Sequence, residues 1–283
     1  MRLLALTVVV MVAFAANSVF GRMALVNGDM DAMGYSTIRM ASGGAMLALL
    51  CILSRGSVAL GGEGRVTGVL SLLLYMAAFS LSYVGIDTGI GALILFGCVQ
   101  ITMFAGALIG GERPPFTRWA GAAMAFGGLA WLLWPGSAVQ VSVFHGLLMA
   151  ASGIGWGIYS LIGRKAKDAL QNTGANFILA TPAILIVWLL VGVGEMTKQG
   201  VILAVLSGAI TSGMGYALWY AVLPTLSATT ASVAQLTVPV IATLGGWLFL
   251  SEAVSWSFAM ASAIVLGGVA LSVVPRQRGL SRS

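Results

Sequence analysis

Three aromatic side chains, Tyr75, Phe79 and Tyr83, follow one another at i, i+4 and i+8 inside the uncharged run 66–86. On a helix that spacing puts them on one face. Tyr75 and Phe79 fall near the middle of the run, where an interfacial belt of aromatics does not account for them. Tyr83 lies near its end and fits either a belt or the same face. Gln100 and Gln235 sit within two other apolar runs. An amide left unpaired in hydrocarbon costs several kcal/mol, so its partner is either a neighbouring helix or a ligand. Pro239 adds a second feature, because its missing N–H leaves the carbonyl of Gln235, four residues earlier, without a helical donor. Carbonyl and amide together make a polar notch. Such chemistry recognises small molecules and does not break bonds.

Reactive groups are scarce. The only histidine is His145, and Cys51 and Cys98 lie in apolar runs without metal-ligand spacing, so no catalytic residue, metal or cofactor is expected. Gly-Ile-Gly-Trp-Gly at 153–157 follows no strand, and close helix packing explains it better than a dinucleotide loop. Arg22 and Arg39 could together hold a carboxylate. Snorkelling to headgroups is the simpler expectation for both.

These residues need elements to position them, and composition says which. Of 283 residues, 59% are hydrophobic and 8% charged, a third of the charged share of soluble domains, which excludes an ordinary soluble protein. The net charge of +6 comes from 14 basic residues scattered singly, which is no nucleic-acid footprint. The partners expected are a lipid bilayer and a small-molecule substrate, with the protein a monomer.

A span needs about 20 mostly apolar residues. Residues 3–21, 66–86, 88–111, 169–194 and 253–275 give one span each, and 40–54 another once the turn holding Arg39 is added. The stretch 119–163 divides at Pro135-Gly136-Ser137, and 199–251 divides at Leu223-Pro224-Thr225-Leu226-Ser227. The expectation is an all-α polytopic membrane protein with ten transmembrane helices. With the N-terminus inside, eleven of the fourteen basic residues face inward, against Arg22, Arg39 and Lys198 outside. Both termini are then cytoplasmic, in the inner membrane of a cell.

The halves echo each other. Glu112 is followed by Gly127-Gly128, and Glu252 by Gly267-Gly268, while Ser18-Val19-Phe20-Gly21-Arg22 matches Ser160-Leu161-Ile162-Gly163-Arg164. The offsets are 140 (112 to 252) and 142 (22 to 164). Five helices per copy is an odd number, so the second copy, 138–283, enters the membrane opposite to the first, 1–137. Inverted repeats of this 5+5 kind mark transporters that open a central site to either side.

The segment Leu236-Thr237-Val238-Pro239-Val240, then Gly245-Gly246 and Leu250-Ser251-Glu252, resembles the EamA-type repeat of the drug/metabolite transporter superfamily. Arg39 matches another position of that pattern. The first half departs from it, with Val99 where the second has Pro239. The resemblance implies a cavity surrounded by spans 1, 3, 4, 6, 8 and 9, and most closely bacterial exporters of aromatic amino acids. On those spans the candidates for substrate binding are Asn17, Tyr75, Phe79, Tyr83, Gln100, Trp156, Tyr159, Trp219 and Gln235, with Pro239 as a hinge. Phe14, Tyr216 and Tyr220 lie on the same spans.

The function expected is export of amino acids, aromatic ones preferred, or of similar small metabolites by alternating access. All eight acidic residues fall at span ends or in loops, so an uncoupled uniport is expected. Glu112 and Glu252 are expected to cap loops or to pair with nearby bases such as Arg113. The alternatives are a proton-coupled multidrug or other metabolite transporter and, from another class, a membrane-embedded enzyme, for which no catalytic constellation exists.

Overall fold

The computed structural model describes residues 2–134, 141–164, 166–226, 231 and 234–273. The expected break at Pro135-Gly136-Ser137, with the boundary between halves at 137, lies outside the described residues. So do Lys165, Arg276, Arg278 and Arg282.

The described residues are helical, apart from loops and one isolated antiparallel bridge between Met30 and Met196. The helices are α1 (Arg2–Val26), α2 (Ala32–Arg55), α3 (Arg65–Tyr83), α4 (Thr88–Ile109), α5 (Phe116–Leu132), α6 (Val143–Gly163) and α7 (Ala169–Val191). They continue with α8 (Lys198–Thr225), α9 (Thr237–Leu250) and α10 (Trp256–Val273). Among the described residues α1–α4 and α6–α8 are each long and apolar enough to cross a bilayer. The chain is a multi-pass membrane protein.

Helix starts follow from local chemistry. Asp31, Asp168 and Thr197 accept backbone N–H groups of Gly34, Gln171 and Gly200 in the first turns of α2, α7 and α8. The helix α8 widens into a π-turn over Leu206–Met214, a segment holding two glycines, two serines and a threonine, and ends in a 3-10 turn holding Pro224. Pro239 stands in the first turn of α9, where its missing donor costs nothing, and helical geometry is interrupted at Leu236 just before it.

The packing has a regular plan. Helix α3 lies on α6 and α1 on α8; α4 lies on α6 and α1 on α9; α2 faces α7, α5 faces α10 and α4 meets α9. Glycine makes the closest of these approaches. A Cβ on Gly155 would strike the backbone of Ser71 and Tyr75 on α3, and one on Gly153 the carbonyl of Leu95 on α4. The Gly-Ile-Gly-Trp-Gly segment is therefore a two-sided contact, and it draws Trp156 to the centre of the bundle.

This plan predicts opposite outcomes for two glycines. Gly155→Ala forces helices apart and should cost about 1–3 kcal/mol. Gly127→Ala, where an added Cβ meets nothing, should be neutral or slightly stabilising. Thermal unfolding of the purified variants in detergent measures both. The reverse ranking would contradict the packing.

Candidate functional site

The elements α1, α3, α6 and α8 bring one aromatic group to the middle of the bundle. The rings of Tyr75 and Trp156 are 5.0 Å apart, Trp156 and Tyr216 4.8 Å, Trp156 and Tyr159 5.5 Å, and Phe14 stands edge-on to Tyr216 at 5.7 Å and to Trp219 at 5.9 Å. Below Tyr75 on the same face, Phe79 packs on Tyr83 at 4.7 Å. Tyr83 is fully buried and donates its hydroxyl to the carbonyl of Thr88, so it belongs to this column and to no interfacial belt.

Two narrow cavities adjoin the group. The first is lined by Phe14, Asn17, Tyr75, Phe79, Phe96 and Tyr216 among others. The second lies toward the Arg164 end and is lined by Gln100, Arg164, Trp219, Leu223 and Gln235 among others. Phe14 and Trp156 border both and form the partition between them. The structure thus gathers Asn17, Tyr75, Phe79, Trp156 and Trp219 around one centre and sets Gln100 with Gln235 in the adjoining cavity. Tyr159 stands slightly apart, accepting a hydrogen bond from Asn176 at 3.3 Å.

Asn17 is satisfied from one side only. Its Oδ1 accepts from the hydroxyls of Ser207 (2.8 Å), Thr211 (2.6 Å) and Ser212 (3.2 Å), all in the π-turn of α8. Ser207 and Thr211 share a face at helical spacing, and the wider turn brings Ser212 round to the same face toward α1. Composition gave no warning of a π-turn, although a Gly/Ser/Thr cluster inside an apolar run is the trace it leaves.

The largest departure from expectation is Arg39. It does not snorkel. Two turns into α2 it is completely buried, with Nη2 donating to the Tyr75 hydroxyl at 2.9 Å and Nε to Ser212 at 3.1 Å. Its guanidinium carbon lies 4.6 Å from the ring centre of Phe79 and 5.4 Å from that of Tyr75. Each such face is worth about 0.5–2 kcal/mol to a cation. Nη1 has no hydrogen-bond partner among the described residues, nor has the hydroxyl of Tyr35 one turn earlier. No carboxylate joins the cluster. A buried guanidinium normally has one, since an uncompensated ion in a low-dielectric interior costs several kcal/mol.

Carboxylates gather instead at the bundle's ends. Glu252 takes the Thr88 N–H on both oxygens, at 3.0 and 2.9 Å, which caps α4, and it pairs with Arg22 at 3.3 Å. Burial raises its carboxyl above the usual range, and the charge of Asp87 adds to that. Arg22 also donates to the carbonyls of Tyr83 and Val84. Glu112 pairs with Arg118 at 3.0 Å rather than with Arg113. Among the described residues no group of His, Cys, Asp and Glu could hold a metal ion.

Comparison with known proteins agrees with this architecture. The sequence pattern of the EamA-like transporter family matches residues 144–274. Uncharacterized protein PA1977 of Pseudomonas aeruginosa is 42% identical over 276 residues, which is 97% of this chain and 96% of that protein. Uncharacterized transporter YoaV of Bacillus subtilis is 24% identical over 136 residues, 46% of this chain and 47% of its own. One solved crystal structure, 22% identical, superposes with a TM-score of 0.64 over 93% of this chain and 96% of its own, a likeness of fold alone.

The cluster predicts that Tyr75→Phe, a change of one hydroxyl, destabilises the protein by about 1–3 kcal/mol, because Arg39 loses an acceptor that water cannot replace. Thermal unfolding in detergent reads this. A melting temperature equal to the parent's would mean that Arg39 does not depend on Tyr75.

Proposed function

Because the chain belongs to the EamA-like transporter family, we propose that it exports aromatic amino acids, or similar small amphipathic metabolites, by alternating access. The observation that carries the reading is Arg39, a buried cation without a carboxylate, set behind Tyr75 and Phe79 where they line the central cavity. A ligand with an aromatic ring and a carboxylate supplies what both lack. The ring stacks among Tyr75, Phe79 and Trp156, and the carboxylate compensates the guanidinium. Asn17, Tyr159, Trp219, Gln100 and Gln235 complete the path, and Pro239 with the interruption at Leu236 serves as the hinge of α9.

The packing plan supports ten spans in a 5+5 inverted repeat. Helices α3 on α6 and α8 on α1 are equivalent pairs under the sequence offsets, as are α4 on α6 and α9 on α1, whereas α2–α7, α5–α10 and α4–α9 pair with their own counterparts. The basic residues orient it. Arg55, Arg65, Arg113, Arg118, Arg164 and Lys167 share one end, which we take as the cytoplasmic side of the inner membrane, against Arg22 and Lys198 at the other. The cavity of Gln100 and Gln235 then faces the cytoplasm, where an exporter takes up substrate, while Arg22 and Glu252 close the outer face.

All eight acidic residues lie outside the helices, which favours uncoupled uniport. A second reading, proton-coupled transport, is favoured by Glu252, whose burial raises its affinity for a proton.

Purified protein in proteoliposomes with equal L-phenylalanine on both sides decides between them. Uniport predicts no net movement under an imposed pH gradient; net accumulation that disappears in Glu252→Gln supports proton coupling. In the same vesicles Tyr75→Ala, Phe79→Ala and Trp156→Ala should each raise the KM for phenylalanine about tenfold or more, the loss of roughly 1.4 kcal/mol of ring contact. Parental kinetics in all three would remove the aromatic group from the site.

A further inference from the structure

At the Glu252 end one network draws four elements together. Arg22 of α1 holds Glu252, which follows α9, and the last carbonyls of α3, while Glu252 holds the first N–H of α4. Helices α4 and α9 meet at this end, with Thr243 against Gly89 and Gly246 against Thr88. Toward the Arg164 end they part, and Gln100 and Gln235 line the cavity between them.

The sequence carries both charged members twice. Arg22 corresponds to Arg164 and Glu252 to Glu112. The helices that bear them share a register as well. Gly245 of α9 rests on Val19 of α1, and Gly106 of α4, the counterpart of the neighbouring Gly246, rests on Leu161 of α6, the counterpart of Val19, so the two contacts agree to within one residue. Arg164, one turn beyond Leu161, lies toward the end of α4 that leads to Glu112. Leu223, the residue 140 positions after Tyr83, lines the same cavity as Arg164.

Yet the second network is not made. Glu112 is 61% exposed and turned to Arg118, and Arg164 is exposed with no ion pair or side-chain hydrogen bond among the described residues. The structure holds one latch closed and its counterpart open.

We infer that Arg164 and Glu112 are the second latch: they pair when the cavity of Gln100 and Gln235 closes, and the Arg22–Glu252 pair then parts. This rests on the alternating-access reading and names the groups that alternate. Each pair joins the first helix of one repeat to the end of the fourth helix of the other, so one rocking motion cannot satisfy both. Glu112 leaves Arg118, an exposed partner of small worth, for Arg164. Two arrangements of similar energy result, as a transporter that must visit both states requires.

Accessibility of the cavity tests this without any substrate, so its outcome is independent of what the protein carries. Ala231, which lines the same cavity, is changed to Cys in a protein carrying Cys51→Ser and Cys98→Ala. In nanodiscs its rate of reaction with a polar maleimide reports the open state. Arg164→Gln and Glu112→Gln should each speed labelling roughly two- to fivefold, and Arg22→Gln should slow it by a similar factor. The exchange Glu112→Arg with Arg164→Glu should return the parental rate. Labelling at the parental rate in both single variants, or an exchange no better than the singles, overturns the assignment. Should these variants fail to insert, the pair Glu112→Cys with Arg164→Cys replaces them. Its oxidative cross-linking should be faster when Arg22→Gln is added, and an unchanged rate overturns the assignment equally.

Discussion

A guanidinium enclosed in a lipid-embedded bundle has no water to turn to, and that constraint on Arg39 organises the centre of this protein. Hydrocarbon offers it nothing, so its donors and charge are met from within by the Tyr75 hydroxyl, by Ser212, and by the faces of Phe79 and Tyr75. Each of these partners is fixed by something else. Tyr75 is held by the approach of Gly155, Ser212 by the π-turn that also turns Ser207 and Thr211 to Asn17, and Phe79 by Tyr83 beneath it. One polar centre therefore ties α2, α3, α1 and α8 together, and Nη1 of its guanidinium has no hydrogen-bond partner among the described residues.

Function follows from the contrast between this centre and the ends of the bundle. Acidic residues are kept to the ends, where Glu252 caps α4 and holds Arg22, and the middle carries positive charge without its complement. On the proposed function, an anionic group brought in by a ligand would take the place of a permanent ion pair. The Arg22–Glu252 pair at one end and the narrow cavity of Gln100 and Gln235 at the other are the two features on which the alternating-access proposal rests.

Much of this was legible in the sequence because hydropathy and spacing act locally. The spans, the aromatic face of Tyr75, Phe79 and Tyr83, and the close packing of Gly153, Gly155 and Gly157 could be read from composition and period. The environment of Arg39 could not. Its place at the edge of the charge-free run 40–54 put it near a span end, where snorkelling is the ordinary outcome, and only packing against α3 and α8 reveals that it turns inward. The partner of Glu252 was hidden for a similar reason. Arg22 is 230 residues away in sequence and is brought close by the pairing of α1 with α9. The π-turn was missed because its residues are compatible with an ordinary helix, and the rotation it imposes is a property of the fold.

The central claim is that Arg39 is the group that receives the ligand's carboxylate, and equilibrium binding measures it most directly. Calorimetric titration of the purified protein with L-phenylalanine, and with phenethylamine, which lacks the carboxylate, compares the two ligands at one site. The account predicts that phenylalanine binds at least about tenfold more tightly than the amine, a difference of roughly 1.4 kcal/mol, and that Arg39→Lys keeps more of that preference than Arg39→Gln. Equal affinity for the two ligands, or a preference unaltered in Arg39→Gln, would contradict it.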